Sequence, residues 1–287
     1  MPTPSSEPPV WFITAASSGF GAAIARAALS RGHHVIATAR SAAKISDLKE
    51  LGAVTISLDV TWPMEKIEEV AKEAYAVWER FDIVVNAAGY MVQGAVEEVS
   101  HEETMAIFST NVFGALNVTR ALLPYMRPRR TGVIATFGSL GSWRGFPGGA
   151  LYCATKWSAS AIAESLRLEV APLGIQATVI EPGYFRSGFL NPGALIQSQK
   201  RIQDYEESAV GEFRKVVTTV DNNQPGDVGK GAEVIVDVLS GTGVGEGRKV
   251  PVRLVLGSDA QKVIRGKCEE TVKLLDEWKS VSDSTDY

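Results

Sequence analysis

Short runs of β-branched and other apolar residues recur along this chain, each followed by a longer stretch with helical spacing. The runs lie at 10–14, 35–39, 54–58, 83–86, 133–137, 177–180 and 252–256. Helical patterns fill 21–30, 64–79, 101–124, 151–170, 227–239 and 258–278, the last with a break expected near Gly266. Strands that are apolar throughout, rather than at every second residue, must be covered on both faces, as strands of parallel sheets are. With right-handed strand–helix–strand crossovers, the pattern predicts an α/β fold: one domain built on a doubly wound parallel sheet of about seven strands. That domain is expected over 10–279. Four prolines among the first nine residues predict a flexible tail at 1–9, and a polar stretch predicts another at 280–287. Only 184–225 breaks the alternation. A connection of that length in a compact domain is expected to act as a lid over a binding site.

With 29 Lys+Arg against 33 Asp+Glu, the net charge is −4, so no basic surface for nucleic acid is expected. No apolar run reaches the roughly 18 residues that a membrane span needs. The first residues carry neither the basic start nor the apolar core of a signal peptide, and Cys153 and Cys268 are too few for a disulfide scaffold. A cytoplasmic location is therefore expected. His33, His34 and His101 lack metal-ligand spacing, so no metal is expected. Glu97, Glu98, Glu102 and Glu103 read as a solvated acidic face, and Cys153 as a small helix residue.

The first apolar run leads into Thr14-Ala-Ala-Ser-Ser-Gly-Phe-Gly21 and then a helix. Small residues at such a turn bring backbone N–H groups close to a pyrophosphate, and the helix N-terminus favours its negative charge. Thr14, Ser17, Ser18, Gly19, Phe20 and Gly21 are accordingly dinucleotide-binding candidates, with Ala15 where a first glycine is usual. The second run ends at Ala39-Arg40. Sites for the unphosphorylated cofactor place a carboxylate here to accept from the ribose 2′-hydroxyl. Arginine instead suits a 2′-phosphate, so NADP(H) is expected over NAD(H). Asp59 and Val60 end the third run; Asn86, Ala87 and Gly89 end the fourth. Both segments belong at the carboxyl edge of the sheet, where open α/β folds bind ligands.

The fifth run ends at Ser139. Thirteen residues later comes Tyr152, and Lys156 follows it by one helical turn. A carbonyl reduced by hydride must also take up a proton, and a phenol with a pKa near 10 is a poor base at neutral pH. An ammonium about 5 Å away, at an effective dielectric of about 20, would stabilise the phenolate by roughly 3 kcal/mol. A lowered Tyr152 pKa is therefore expected, with Tyr152 as general acid/base and Ser139 holding the substrate oxygen. Asn111, a poor helix former inside a predicted helix, joins them as a fourth candidate.

These residues, with Pro182-Gly183 and the segment Glu181-Pro-Gly-Tyr-Phe-Arg-Ser187, resemble the short-chain dehydrogenase/reductase family over about residues 10 to 190, and within it the steroid- and retinol-dehydrogenase-like members. The resemblance implies a Rossmann fold and a catalytic tetrad of Asn111, Ser139, Tyr152 and Lys156. Lys156 would also hold the nicotinamide ribose, and Asn111 a relay water. Pro182, Gly183, Phe185 and Ser187 would border the nicotinamide, and Tyr152 would also touch it. The resemblance further implies a homodimer or homotetramer formed through the helices at 101–124 and 151–170.

Substrate is expected over the nicotinamide among Met91, Leu140, Trp143, Phe146, Tyr184 and Phe189. That lining predicts a lipophilic or aromatic ketone or secondary alcohol. Two other readings keep the fold: a dinucleotide-binding redox sensor without turnover, and an imine reductase or epimerase.

Overall fold

A computed structural model describes residues 7–220 and 223–287. Its strands are β1 Val10–Ile13, β2 His34–Ala39, β3 Val54–Ser57, β4 Ile83–Asn86, β5 Met91–Gln93, β6 Val133–Phe137, β7 Gln176–Pro182, β8 Leu195–Gln197 and β9 Arg253–Leu256. Seven of them form one sheet in the order β3-β2-β1-β4-β6-β7-β9, and every pairing in it is parallel. The helices are α1 Gly19–Ser30, α2 Ser46–Glu50, α3 Met64–Trp78, α4 His101–Phe108, α5 Ala115–Met126, α6 Ala150–Val170, α7 Ala209–Val220, α8 Val228–Ser240, α9 Ser258–Glu277 and α10 Lys279–Asp283.

The unbroken apolar runs have the cause expected of them. In β1, Trp11 and Ile13 pack with Ile24 and Ala28 of α1 and Ile235 of α8, whereas Val10 and Phe12 pack with Ile67 and Val70 of α3 and Leu122 of α5. Successive residues of one strand thus enter two cores on opposite faces of the sheet. The strand order reverses between β1 and β4, which creates a crevice at their carboxyl ends.

Several elements depart from the sequence expectation. The helix expected at 101–124 is two helices joined by a wide π turn, Ser109–Gly114. Pro124 lies inside α5 rather than ending it. The segment 184–225 has its own structure: β8 pairs parallel with β5 in a separate two-stranded sheet, and α7 follows. Helix α9 runs through Gly266 without the expected break. Of the expected tails, residues 1–6 lie outside the described residues. Glu7 and Pro8 are held by the Arg80 guanidinium, through the Glu7 carboxylate and the Pro8 carbonyl. At the other end, α10 occupies part of 280–287. Among the described residues, no helix is long and apolar enough to cross a membrane.

Candidate active site

One cleft lies beyond the carboxyl ends of β1, β4, β6 and β7. Its lining joins the β1–α1 turn (Ala15, Ser18, Gly19, Phe20, Gly21) to Ala87, Gly89, Ser139, Tyr152, Lys156, Pro182, Gly183, Phe185 and Ser187. The turn is shaped by its small residues. Gly19 has φ +54°, and Ala15, without the freedom of glycine, also sits in the left-handed region at φ +52°, a conformation costing roughly 1–2 kcal/mol for an L-residue. A Cβ on Gly21 would lie 2.5 Å from the Ala15 carbonyl oxygen, so only glycine lets α1 start this close to β1. Ser18, at the N-cap, makes no capping bond, and the first turn of α1 carries no acidic residue. The N-terminus of α1 therefore offers its backbone N–H groups to the cleft, the arrangement that binds phosphate. This cradle fits the pyrophosphate of a nicotinamide dinucleotide.

Four expected cofactor residues lie outside the lining of the cleft. Thr14 is buried, and its Oγ1 accepts from the backbone N–H of Ala87 (2.9 Å) and Ala88 (3.2 Å), tying the end of β1 to the end of β4. The Asn86 amide donates to Thr119 Oγ1 at 3.1 Å. Asp59 Oδ1 accepts from the Thr61 N–H (2.9 Å) and hydroxyl (2.7 Å). Val60 packs so closely on Gly114 that a Cβ there would lie 2.6 Å from its side chain. Ser17 and Arg40 are exposed and also lie outside the cleft lining.

Within the same lining, Tyr152 and Lys156 share one face of α6, with the Lys156 ammonium 5.7 Å from the centre of the Tyr152 ring. Ser139, at the end of β6, is hydrogen-bonded to the Tyr152 hydroxyl, and its own Oγ accepts from Gly141 N–H at 3.1 Å. Lys156 donates to the Phe137 carbonyl at 2.8 Å. Asn111 sits in the π turn, buried behind the cleft. Its Oδ1 accepts from Tyr90 N–H (3.0 Å), while Nδ2 donates to the Tyr90 carbonyl (2.9 Å) and to Thr155 Oγ1 (3.1 Å). π turns gather at functional sites, and this one turns Asn111 toward Gly89. A Cβ on Gly89 would lie 3.2 Å from Asn111 Oδ1 and 3.5 Å from Lys156 Nζ. The tetrad expected from sequence is thus assembled in one place.

The electrostatics differ from expectation. Burial raises the Tyr152 pKa, a rise only partly offset by the hydrogen bond from Ser139. Burial also lowers Lys156 to about 8. Desolvation therefore outweighs the attraction that Lys156 was expected to exert on the phenolate, and the protein's own groups keep Tyr152 a neutral phenol. Cys153 is equally unreactive, since burial pushes its thiol up to about 11.

Beyond Tyr152 the cleft is apolar. Phe146 and Phe189 stand 6.4 and 5.7 Å from the Tyr152 ring, and Phe213 stands 4.9 Å from Phe146. Met91, Leu140 and Tyr184 line it as expected. Trp143 does not. Its indole donates to Glu181 at 2.8 Å and lies under the Arg253 guanidinium, outside the lining. Sequence reading missed Phe213 and Val217, which reach the cleft from α7. Their signal was present: Val210, Phe213 and Val217 recur at helical spacing on one face.

The segment 184–225 is fixed by a carboxylate that sequence reading placed in solvent. Glu98 is fully buried. It accepts from the N–H of Ala95 (2.7 Å) and Ile202 (3.0 Å) and pairs with Arg214 of α7. Burial works to raise its pKa, but those two backbone bonds and Arg214 prevail, and the net shift is downward.

The family model described as short chain dehydrogenase matches residues 9–193. Over 278 residues the chain is 34% identical to oxidoreductase BOA17 of Botryotinia fuckeliana, covering 95% of this chain and 97% of that one. It is also 34% identical to the 3-ketodihydrosphingosine reductase of Bacteroides thetaiotaomicron, over 70% of this chain and 73% of that one. Among solved structures, a short-chain dehydrogenase from Streptomyces avermitilis superposes with a TM-score of 0.88 at 40% identity, covering 98% of this chain and 100% of that one. An alcohol dehydrogenase from the archaeon Thermococcus sibiricus superposes with a TM-score of 0.67 at 25% identity, covering 87% and 96%. This chain belongs to the short-chain dehydrogenase family. It is an oxidoreductase acting on CH–OH/C=O groups, and its cofactor is a nicotinamide dinucleotide.

Proposed function

We propose that the chain is an NADP(H)-dependent oxidoreductase that interconverts a carbonyl and a secondary alcohol on a lipophilic or aromatic small molecule. The observation that carries this reading is a single cleft in which the buried Ser139–Tyr152–Lys156 cluster lies between an uncapped helix N-terminus and an aromatic wall. When bound, the dinucleotide supplies or accepts the hydride. Tyr152, kept as a neutral phenol by burial, donates the proton to the developing alkoxide. Ser139 holds the same oxygen by a hydrogen bond. The Lys156 ammonium favours the phenolate left behind, and Asn111 fixes the backbone at Tyr90 on the substrate side of the cleft. Phe146, Phe189 and Phe213 exclude water and receive the apolar body of the substrate.

Arg40, exposed at the end of β2 with no carboxylate at the neighbouring position, supports the choice of NADP(H). The Thermococcus sibiricus enzyme was solved with 5-hydroxy-NADP, which agrees with that choice. The Bacteroides relative, named for a ketone with a sphingoid body, agrees with the apolar wall. A homodimer or homotetramer through α4, α5 and α6 is the proposed assembly; Met105, Trp157 and Leu168 on those helices and Phe113 in the π turn are exposed apolar side chains.

The test is fluorescence titration with NADPH and NADH, followed by a panel of lipophilic ketones watched at the NADPH absorbance. Tight NADPH binding with ketone-dependent oxidation is expected. Tyr152→Phe should keep NADPH binding and lower turnover by about 10²–10⁴. Full activity in that variant refutes the assignment of Tyr152.

A further inference from the structure

Glu181 is a buried carboxylate for which the proposed reaction has no use. It lies at the end of β7, just before Pro182 and Gly183 of the cleft lining, and its side chain is fully buried. Oε2 accepts from the Trp143 indole N–H at 2.8 Å. Oε1 accepts from the Ser160 hydroxyl at 2.8 Å and from Arg253 Nη1 at 2.6 Å. All three partners donate, the set that an ionised carboxylate takes. Both oxygens are engaged inside the protein and Glu181 is outside the cleft lining, so it does not bind a ligand directly.

Its donors come from the two elements that carry the reacting groups. Trp143 closes the 3₁₀ turn Leu140–Ser142, which Ser139 caps. Ser160 stands on α6 four residues after Lys156, which stands four after Tyr152, so the three share one helix face. Glu164, four further on, pairs with Arg253 at 2.6 Å, and the Arg253 guanidinium lies 4.4 Å over the Trp143 ring. The stem of Glu181 also packs beneath the residue before Ser139: a Cβ on Gly138 would lie 3.0 Å from Glu181 Cγ. An apolar side chain here would join β7 to α6 without the cost of burying a charge. What the carboxylate adds is direction, because each of its bonds holds a donor at a set distance and angle.

We infer that Glu181 is a positioning residue for the reaction: it holds Ser139 against Tyr152 by tying the turn after β6 to the catalytic face of α6. This rests on the roles proposed above for Ser139 and Tyr152. The test compares the full chain with Glu181→Gln, using NADPH and propiophenone as the probe ketone. Glutamine keeps the side-chain volume, and Arg253 keeps Glu164 as its partner. The kcat should fall by about 10- to 100-fold, the order of loss for a small misplacement of reacting groups, while KM and the Kd for NADPH change less than about twofold. Combined with Ser139→Ala, the two losses should not multiply, since both act at the same contact. An unchanged kcat, losses that multiply in full, or a loss of NADPH affinity equal to the loss in kcat would each overturn the inference, the last being what a loosened fold gives. Where Glu181→Gln does not fold, Trp143→Phe removes only the indole donor and is read in the same way. Where the wild type reduces no ketone, or Tyr152→Phe keeps full activity, the reaction reading has failed, and hydrogen exchange decides this inference by itself. In NADPH-bound Glu181→Gln, the backbone amides of 138–143 and 152–160 should exchange about tenfold faster, with those of β1–β3 unchanged. Unaltered exchange in those two segments overturns the inference.

Discussion

Lys156 allows the cost of the active site to be measured as a stability difference. Its ammonium is buried, with the Phe137 carbonyl as its hydrogen-bond partner, and burial lowers its pKa from 10.5 to about 8. The sign follows from linkage. Between about pH 8 and 10.5 the unfolded chain holds the proton and the folded one has lost it, so stability rises with pH across that window. At neutral pH both states are protonated, and the fold bears the full penalty. At 1.36 kcal/mol per unit, the gap corresponds to about 3 kcal/mol. Lys156→Met removes the titration and retains most of the side-chain volume. The difference in unfolding free energy, Lys156→Met minus wild type, should therefore fall by about 3 kcal/mol between pH 7 and pH 10.5. Loss of the Phe137 bond adds a constant of about 1 kcal/mol that does not vary with pH. Urea unfolding of both proteins at matched ionic strength, from pH 6.5 to 10.5, measures the difference directly. A difference that stays flat across the window would refute the claim that a charged lysine is held in a desolvated site.

The same two shifts set the pH dependence of turnover. Ketone reduction should decline as Lys156 loses its proton near pH 8, with no second limb from Tyr152 below pH 10, because burial keeps the phenol protonated; a kcat profile that stays level through pH 9 would contradict this. Arg40→Asp should weaken NADPH binding by about 1.5–3 kcal/mol, the range for a hydrogen bond to a charged group, and leave NADH binding unchanged or improved, as read by fluorescence titration. Gly21→Ala would place a Cβ 2.5 Å from the Ala15 carbonyl and should weaken binding of both dinucleotides at least tenfold through displacement of the turn. Phe213→Ala should raise KM for bulky ketones about tenfold and change kcat little, since Phe213 touches the apolar wall and lies 4.9 Å from Phe146 rather than beside the Tyr152 ring; an equal loss in kcat would place it in the chemistry.

The parts of this protein that could be read from sequence share a physical property: they depend on short-range pattern. A strand covered on both faces needs an unbroken apolar run, a phosphate-binding turn needs small residues before a helix, and Tyr152 with Lys156 needs only one helical turn. Those features predicted the seven-stranded sheet, the cleft at its edge and the four residues gathered there. What was misread depends on partners distant in the chain. Glu98 looked like one of several surface acids. It is buried because Ile202 and Arg214, 104 and 116 residues away, satisfy it, and an unpaired carboxylate in that place would cost several kcal/mol. Trp143 was expected to line the substrate pocket, but Glu181, 38 residues on, takes its indole N–H.

The misread residues also explain how a long connection becomes a specific wall. Among the described residues of 184–225, Val210 and Val217 are the buried apolar side chains, too few for the segment to fold alone. Pairing of β8 with β5 fixes one end, and the Glu98–Arg214 ion pair fixes the helix that follows. Phe213 and Val217 lie on that helix, one residue before and three residues after the arginine, so the contact that orders α7 also aims its apolar side chains into the cleft. The Ser139–Tyr152–Lys156 end of the cleft is therefore held by the main sheet and the Phe213 end by a buried charge pair. On the proposed function, substrate preference can then change through 184–225 without disturbing Tyr152, which stands on α6 and takes its geometry from β6 and the π turn.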